Sequence, residues 1–155
     1  MSQAGVVRIQ HLMRIHSIVQ GVLMALLLFV AWKLQQVYAV KGALKLFFNS
    51  IYLTLGLQVL FFYPIYRFAA REASAELTAP KAKKEQEQKA LQRQRIVASL
   101  SKAAVFIFYG TLIASAPAGT FVSSAAFFSF FATTLTYLQC FNFAANRLLL
   151  SPKKR

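Results

Sequence analysis

Very few side chains in this sequence could act as acids, bases, nucleophiles or metal ligands. Among 155 residues there are four acidic residues, two histidines and one cysteine. The acids, Glu72, Glu76, Glu85 and Glu87, all fall in one hydrophilic segment. The sequence holds no phosphate-cradling glycine loop, nucleophile elbow, HExxH helix or pair of carboxylates suited to acid–base work. His11 and His16 are five residues apart, which puts them about 140° apart on a helix, a poor spacing for sharing one metal. No other helix offers a histidine for bis-histidine haem ligation, and no acid or cysteine stands ready to complete a metal site. Neither a metal nor a cofactor is therefore expected. Cys140 sits inside an apolar run, where a small buried hydrophobe is the natural reading. A hydrolase, kinase or proton-coupled antiporter would need groups that this chain lacks, so an enzyme is not expected.

Two weaker patterns remain. Thr136, Gln139, Asn142 and Asn146 gather on one side of a helix, the three amides within about 60° of one another. Amides facing lipid seek hydrogen bonds worth about 0.5–2 kcal/mol each. Interhelical bonding to Gln20, Asn49, Thr54 or Gln58 is the plain reading, and a polar wall of a substrate path is the sharper one. Small residues four apart recur as Gly21 and Ala25, Gly110 and Ala114, and Ala125, Ser129 and Thr133. Such spacing lets helices approach closely in lipid. It serves packing within the chain's own bundle or an interface with a partner.

These residues sit on four apolar stretches, about 17–38, 44–68, 96–116 and 121–145, none containing an acid. Each is about 20 residues or longer, the length a helix needs to cross a bilayer. The expected fold is all-α: one domain over 1–155, a polytopic membrane protein built as a bundle of four transmembrane helices. The third stretch must tolerate Lys102 to be long enough. Pro64 should kink or loosen the end of the second. Lys41, Gly42 and Lys45 mark a short turn, and Pro117 to Thr120 an uncharged, tight hairpin. Between the second and third stretches lies a hydrophilic, basic segment, 69–95, expected as a cytoplasmic loop whose second half is helical.

The net charge is +14. In a soluble protein this would suggest nucleic acid. In a membrane protein it reflects retained cytoplasmic segments and attraction to anionic headgroups. With four spans, fifteen of the 18 Lys and Arg fall on one side, and only Lys33, Lys41 and Lys45 on the other. The positive-inside rule then places both termini and the basic segment in the cytoplasm. The pattern fits a bacterial inner membrane and the endoplasmic reticulum alike.

The layout of two spans, a basic loop and a two-span hairpin resembles in outline the gamma subunit of the translocon-associated complex. It also resembles the small four-helix assembly proteins of rotary ATP synthases. The likeness is one of layout, and no residue is carried over from it. The expected function is a non-catalytic integral membrane accessory, assembly or scaffold subunit of a larger membrane complex. Its expected partners are anionic lipid headgroups and other membrane subunits, with nucleic acid disfavoured. A small oligomeric transporter or channel is the first alternative. The second is a lipid- or nucleic-acid-tethering module working through Lys81, Lys83, Lys84, Lys89, Arg93 and Arg95.

Overall fold

A computed structural model describes residues 3–78, 85–117 and 120–150. They form four helices: α1 (Gln3–Val40), α2 (Leu44–Thr78), α3 (Glu85–Ser115) and α4 (Phe121–Leu150). No strand occurs among the described residues. All four helices are long and apolar enough to cross a membrane.

Local chemistry sets the helix ends. Gly42 takes a positive φ of 66°, the left-handed conformation that favours glycine. There the Gly42 N–H donates to the Ala39 carbonyl (3.0 Å) and the Ala43 N–H to the Tyr38 carbonyl (2.9 Å). This double bond pattern is a Schellman motif, and it satisfies carbonyls that the end of α1 would otherwise orphan. Thr120 caps α4, its Oγ1 accepting from the Ser123 N–H at 3.4 Å. α2 runs on through Pro64 rather than ending near it. Proline removes a single backbone donor, a loss that long apolar helices tolerate.

The segment 69–95, expected as a loop, is helical at both ends. The reason lies in what its first turns pack against. Ala69 and Ala73 are fully buried in a cluster with Ile9 of α1 and Phe141, Ala144 and Ala145 of α4. Alanine is the strongest helix former, and here its small side chain also admits close helix contact. Beyond Pro80, α3 runs unbroken from Glu85 through Lys102 to Ser115, as expected for the second half of the segment. Pro80 itself lies outside the described residues.

Cross-helix contacts define an up-down-up-down bundle. Tyr38 bonds Ser124 and His16 packs on Phe141, so α1 and α4 are antiparallel. Phe47 packs on Phe128 and Phe68 on Tyr137, so α2 and α4 are parallel and form the most extensive pair. α4 is the central helix, with buried residues along its length from Ser124 to Ala145. α3 is the opposite case, for none of its described side chains is buried.

Two clusters hold the bundle, one near each end. Tyr38, Phe47 and Phe128 pack at the α1–α2 turn, and the alanine-rich cluster around Ile9 packs at the charged end. Hydroxyls join α2 to α4 between them. Thr54 Oγ1 lies 3.4 Å from Ser129 Oγ, and Gln58 Nε2 donates to Thr136 Oγ1 at 2.5 Å.

Gly42→Ala should lower stability by about 1–2 kcal/mol, because a Cβ is disfavoured in the left-handed conformation. Tyr38→Phe should cost less, about 0.6 kcal/mol, the average for a hydrogen bond between membrane helices. Ser124 Oγ keeps its bond to the Thr120 carbonyl in that variant. Unfolding titrations in mixed micelles would rank the two, and a Tyr38→Phe cost above that of Gly42→Ala would contradict this account.

Candidate functional site

A group of charged side chains from three helices is brought together at one end of the bundle. Glu72 and Glu76 sit four residues apart on α2, so one face of the helix presents both. Glu72 accepts from Lys102 Nζ of α3 at 2.5 Å and from the Tyr137 hydroxyl of α4 at 2.5 Å. The same ammonium lies 5.0 Å from the centre of the Tyr137 ring, a cation–π distance. Glu76 accepts from Arg95 of α3 at 3.0 Å and meets Arg8 Nε of α1 at 3.1 Å. Two carboxylates of one helix therefore tie down the other three.

Exposure separates the partners. The Glu76 side chain is 14% exposed and that of Glu72 21%, whereas Arg8 is 53% exposed. Largely desolvated carboxylates need all the cations they hold. The cations keep unused donors, because a guanidinium carries five N–H groups.

The small residues and the amide stripe singled out in the sequence each have a definite place. Ala125 and Ser129 are buried against α2, where the Ala125 carbonyl lies 3.5 Å from Thr54 Oγ1, and Thr133 is half-buried. Gly21 and Ala25 on α1 are exposed, as are Gly110 and Ala114 on α3. A Cβ added at Gly21 or Gly110 would meet nothing within 4 Å. In the amide stripe, Thr136 bonds Gln58, and Asn142 Nδ2 reaches Ser17 Oγ at 3.4 Å. Gln139 and Asn146 are exposed. The buried Oδ1 of Asn142 and Nδ1 of His16 have no hydrogen-bond partner among the described residues.

Arg93 and Lys89 are exposed on α3, and Arg95 is engaged by Glu76. Lys81, Lys83 and Lys84 lie outside the described residues. His11 is exposed and His16 packs edge-on against Phe141 with centroids 4.6 Å apart. Among the described residues no cluster of His, Cys, Asp and Glu is suited to a metal ion.

Sequence reasoning did not assemble the Glu72–Lys102–Tyr137 and Glu76–Arg8–Arg95 groups. One signal was available. A lone lysine inside an apolar run needs a partner, and Glu72 and Glu76 have the spacing of one helical face. No protein-family model, curated protein or solved structure matches this chain.

Glu72→Gln should destabilise the protein by about 1.5–3 kcal/mol, the range for a hydrogen bond to a charged group. It strands the Lys102 ammonium. Adding Lys102→Met removes that stranded charge, so the double variant should be more stable than Glu72→Gln alone. Thermal unfolding of the two variants checks this, and strict additivity of the two costs would show that the residues do not couple.

Proposed function

We propose that this protein is a non-catalytic integral membrane subunit that assembles with, or scaffolds, a larger membrane complex. In this reading both termini and the basic segment face the cytoplasm, where Lys and Arg accumulate. The observation that carries the proposal is the state of α3. It is apolar enough to cross a membrane, yet none of its described side chains is buried. Its contacts with α4 centre on Phe106 and Tyr109 against Phe130, at 5.2 and 5.8 Å between ring centres.

Apolar exposure alone does not call for a partner in lipid, because tails solvate leucine and phenylalanine well. Outward-facing small residues support one more specifically. Gly110 and Ala114 of α3, and Gly21 and Ala25 of α1, open flat faces that the chain's own bundle leaves uncovered. A transmembrane helix of another subunit is the occupant such faces admit, through backbone approach and dispersion contact.

Gly110→Leu and Gly21→Leu test this reading. Neither should disturb the fold, since space is open at both positions and leucine favours helix more than glycine does. Extraction in native lipid nanodiscs, with mass determination and identification of copurifying chains, should yield a stoichiometric partner that one or both variants lose. A homo-oligomer with no other chain would move the assignment to the small oligomeric transporter or channel. A lone monomer would remove the subunit reading altogether.

A further inference from the structure

We propose that the cleft between α2 and α3 at the charged end binds the phosphate-bearing headgroup of an acidic membrane lipid. The cleft encloses about 740 Å³, within the size range of small-molecule sites. Its charged lining comprises Arg8, Arg71, Arg95 and Lys102 against Glu72 and Glu76. Cations therefore exceed carboxylates by two.

The ion pairs show where that excess resides. Glu72 is held by Lys102 and Tyr137, and Glu76 by Arg8 and Arg95. Arg71 is exposed and makes no ion pair among the described residues. Its whole guanidinium fork is available, and forks of this kind take phosphate oxygens in bidentate fashion. Arg8 and Arg95 stand beside it, about half-exposed, with donors beyond those that reach Glu76.

The lining also sets apolar beside charged surface. On α3, Val97 and Ala98 lie between Arg95 and Lys102, and on α2 the lining ends at Phe68, one turn before Arg71. Phe68, Val97 and Ala98 thus give the cleft an apolar flank among its cations. A free phosphate would use only the charged part, whereas a lipid uses both, with phosphate at the arginines and chains along the apolar flank. Basic pockets between membrane helices on the cytoplasmic side are suited to acidic headgroups. The inference goes beyond the subunit reading. Gly110 lies eight residues beyond Lys102, about 12 Å along the helix, so a helix seated there leaves the cleft open.

Native mass spectrometry of the full chain in detergent tests the proposal. Phosphatidylglycerol, phosphatidylcholine and soluble glycerol 3-phosphate serve as probes. Phosphatidylglycerol should bind about tenfold more tightly than phosphatidylcholine, and Arg71→Gln should abolish that difference. Arg93→Gln removes the same charge from α3 outside the cleft and should change affinity less than about twofold. Ala98→Trp fills the cleft without altering charge and should also lose the lipid, which covers the case in which Arg71→Gln misfolds. Equal losses from Arg71→Gln and Arg93→Gln would mean diffuse surface attraction and overturn the site. So would undiminished binding by Ala98→Trp. Competition by glycerol 3-phosphate at concentrations equal to the lipid would overturn the lipid assignment in favour of a soluble anion.

Discussion

Lys102 is the constraint around which the charged end is organised. An ammonium in the apolar run of α3 costs about 2.5–3.5 kcal/mol at the centre of a bilayer and less towards its edge. The cost falls when a carboxylate and an aromatic face receive it. Glu72 and Tyr137 provide both, with the carboxylate 2.5 Å from Nζ and the ring 5.0 Å away. For Glu72 to stand there, α2 must remain helical well beyond Phe68. Once it does, Glu76 follows one turn later on the same face and collects Arg8 and Arg95. One charge within the apolar run of α3 is therefore met by the extension of α2, which also engages the start of α1.

The remainder of the bundle follows a different logic. All four helices are long and apolar enough to cross a membrane, and between such helices in lipid close approach and hydrogen bonds, rather than a hydrophobic force, would decide the pairing. α2 and α4 have the means for both. Ala69 and Ala73 on α2, with Ala144 and Ala145 on α4, narrow the gap at one end. Ser50, Thr54, Ser124 and Ser129 are buried hydroxyls towards the other. α1 carries leucine, valine and phenylalanine through its middle and touches the core chiefly at Ile9 and Tyr38, near its two ends. On α1 the small residues Gly21 and Ala25 face outwards, whereas on α4 Ala125 and Ser129 are buried.

Four helices, the turn at Gly42 and the start of α4 were legible in the sequence, because each rests on local rules of length, capping and composition. The extension of α2 was not. Arg71, Glu72, Ser74 and Glu76 read as loop when polarity is the criterion, yet a helix can run past the end of its apolar stretch with its backbone bonds kept. The clamp was illegible for a related reason. It joins residues 30 and 65 positions apart, Glu72 with Lys102 and with Tyr137. No spacing rule reaches so far, although the unexplained Lys102 already demanded a partner. The four-residue spacing of small residues was visible in three of the four stretches, but its direction was not. Only the packing separates Ala125 and Ser129, which face α2, from Gly21 and Gly110, which face outwards.

These two kinds of cohesion meet in α3. At one end it is joined to α4 through the short hairpin, and at the other it is held by ion pairs to α2. Between them, ring contacts with Phe130 are its principal attachment. Its position is thus set mostly from its two ends, while its flank contributes nothing to the buried core. A partner helix resting on that flank would displace lipid and leave the α2–α4 pair intact. Charge at the end and small residues along the face are therefore separable devices. The first fixes where α3 stands, and the second leaves open what stands against it.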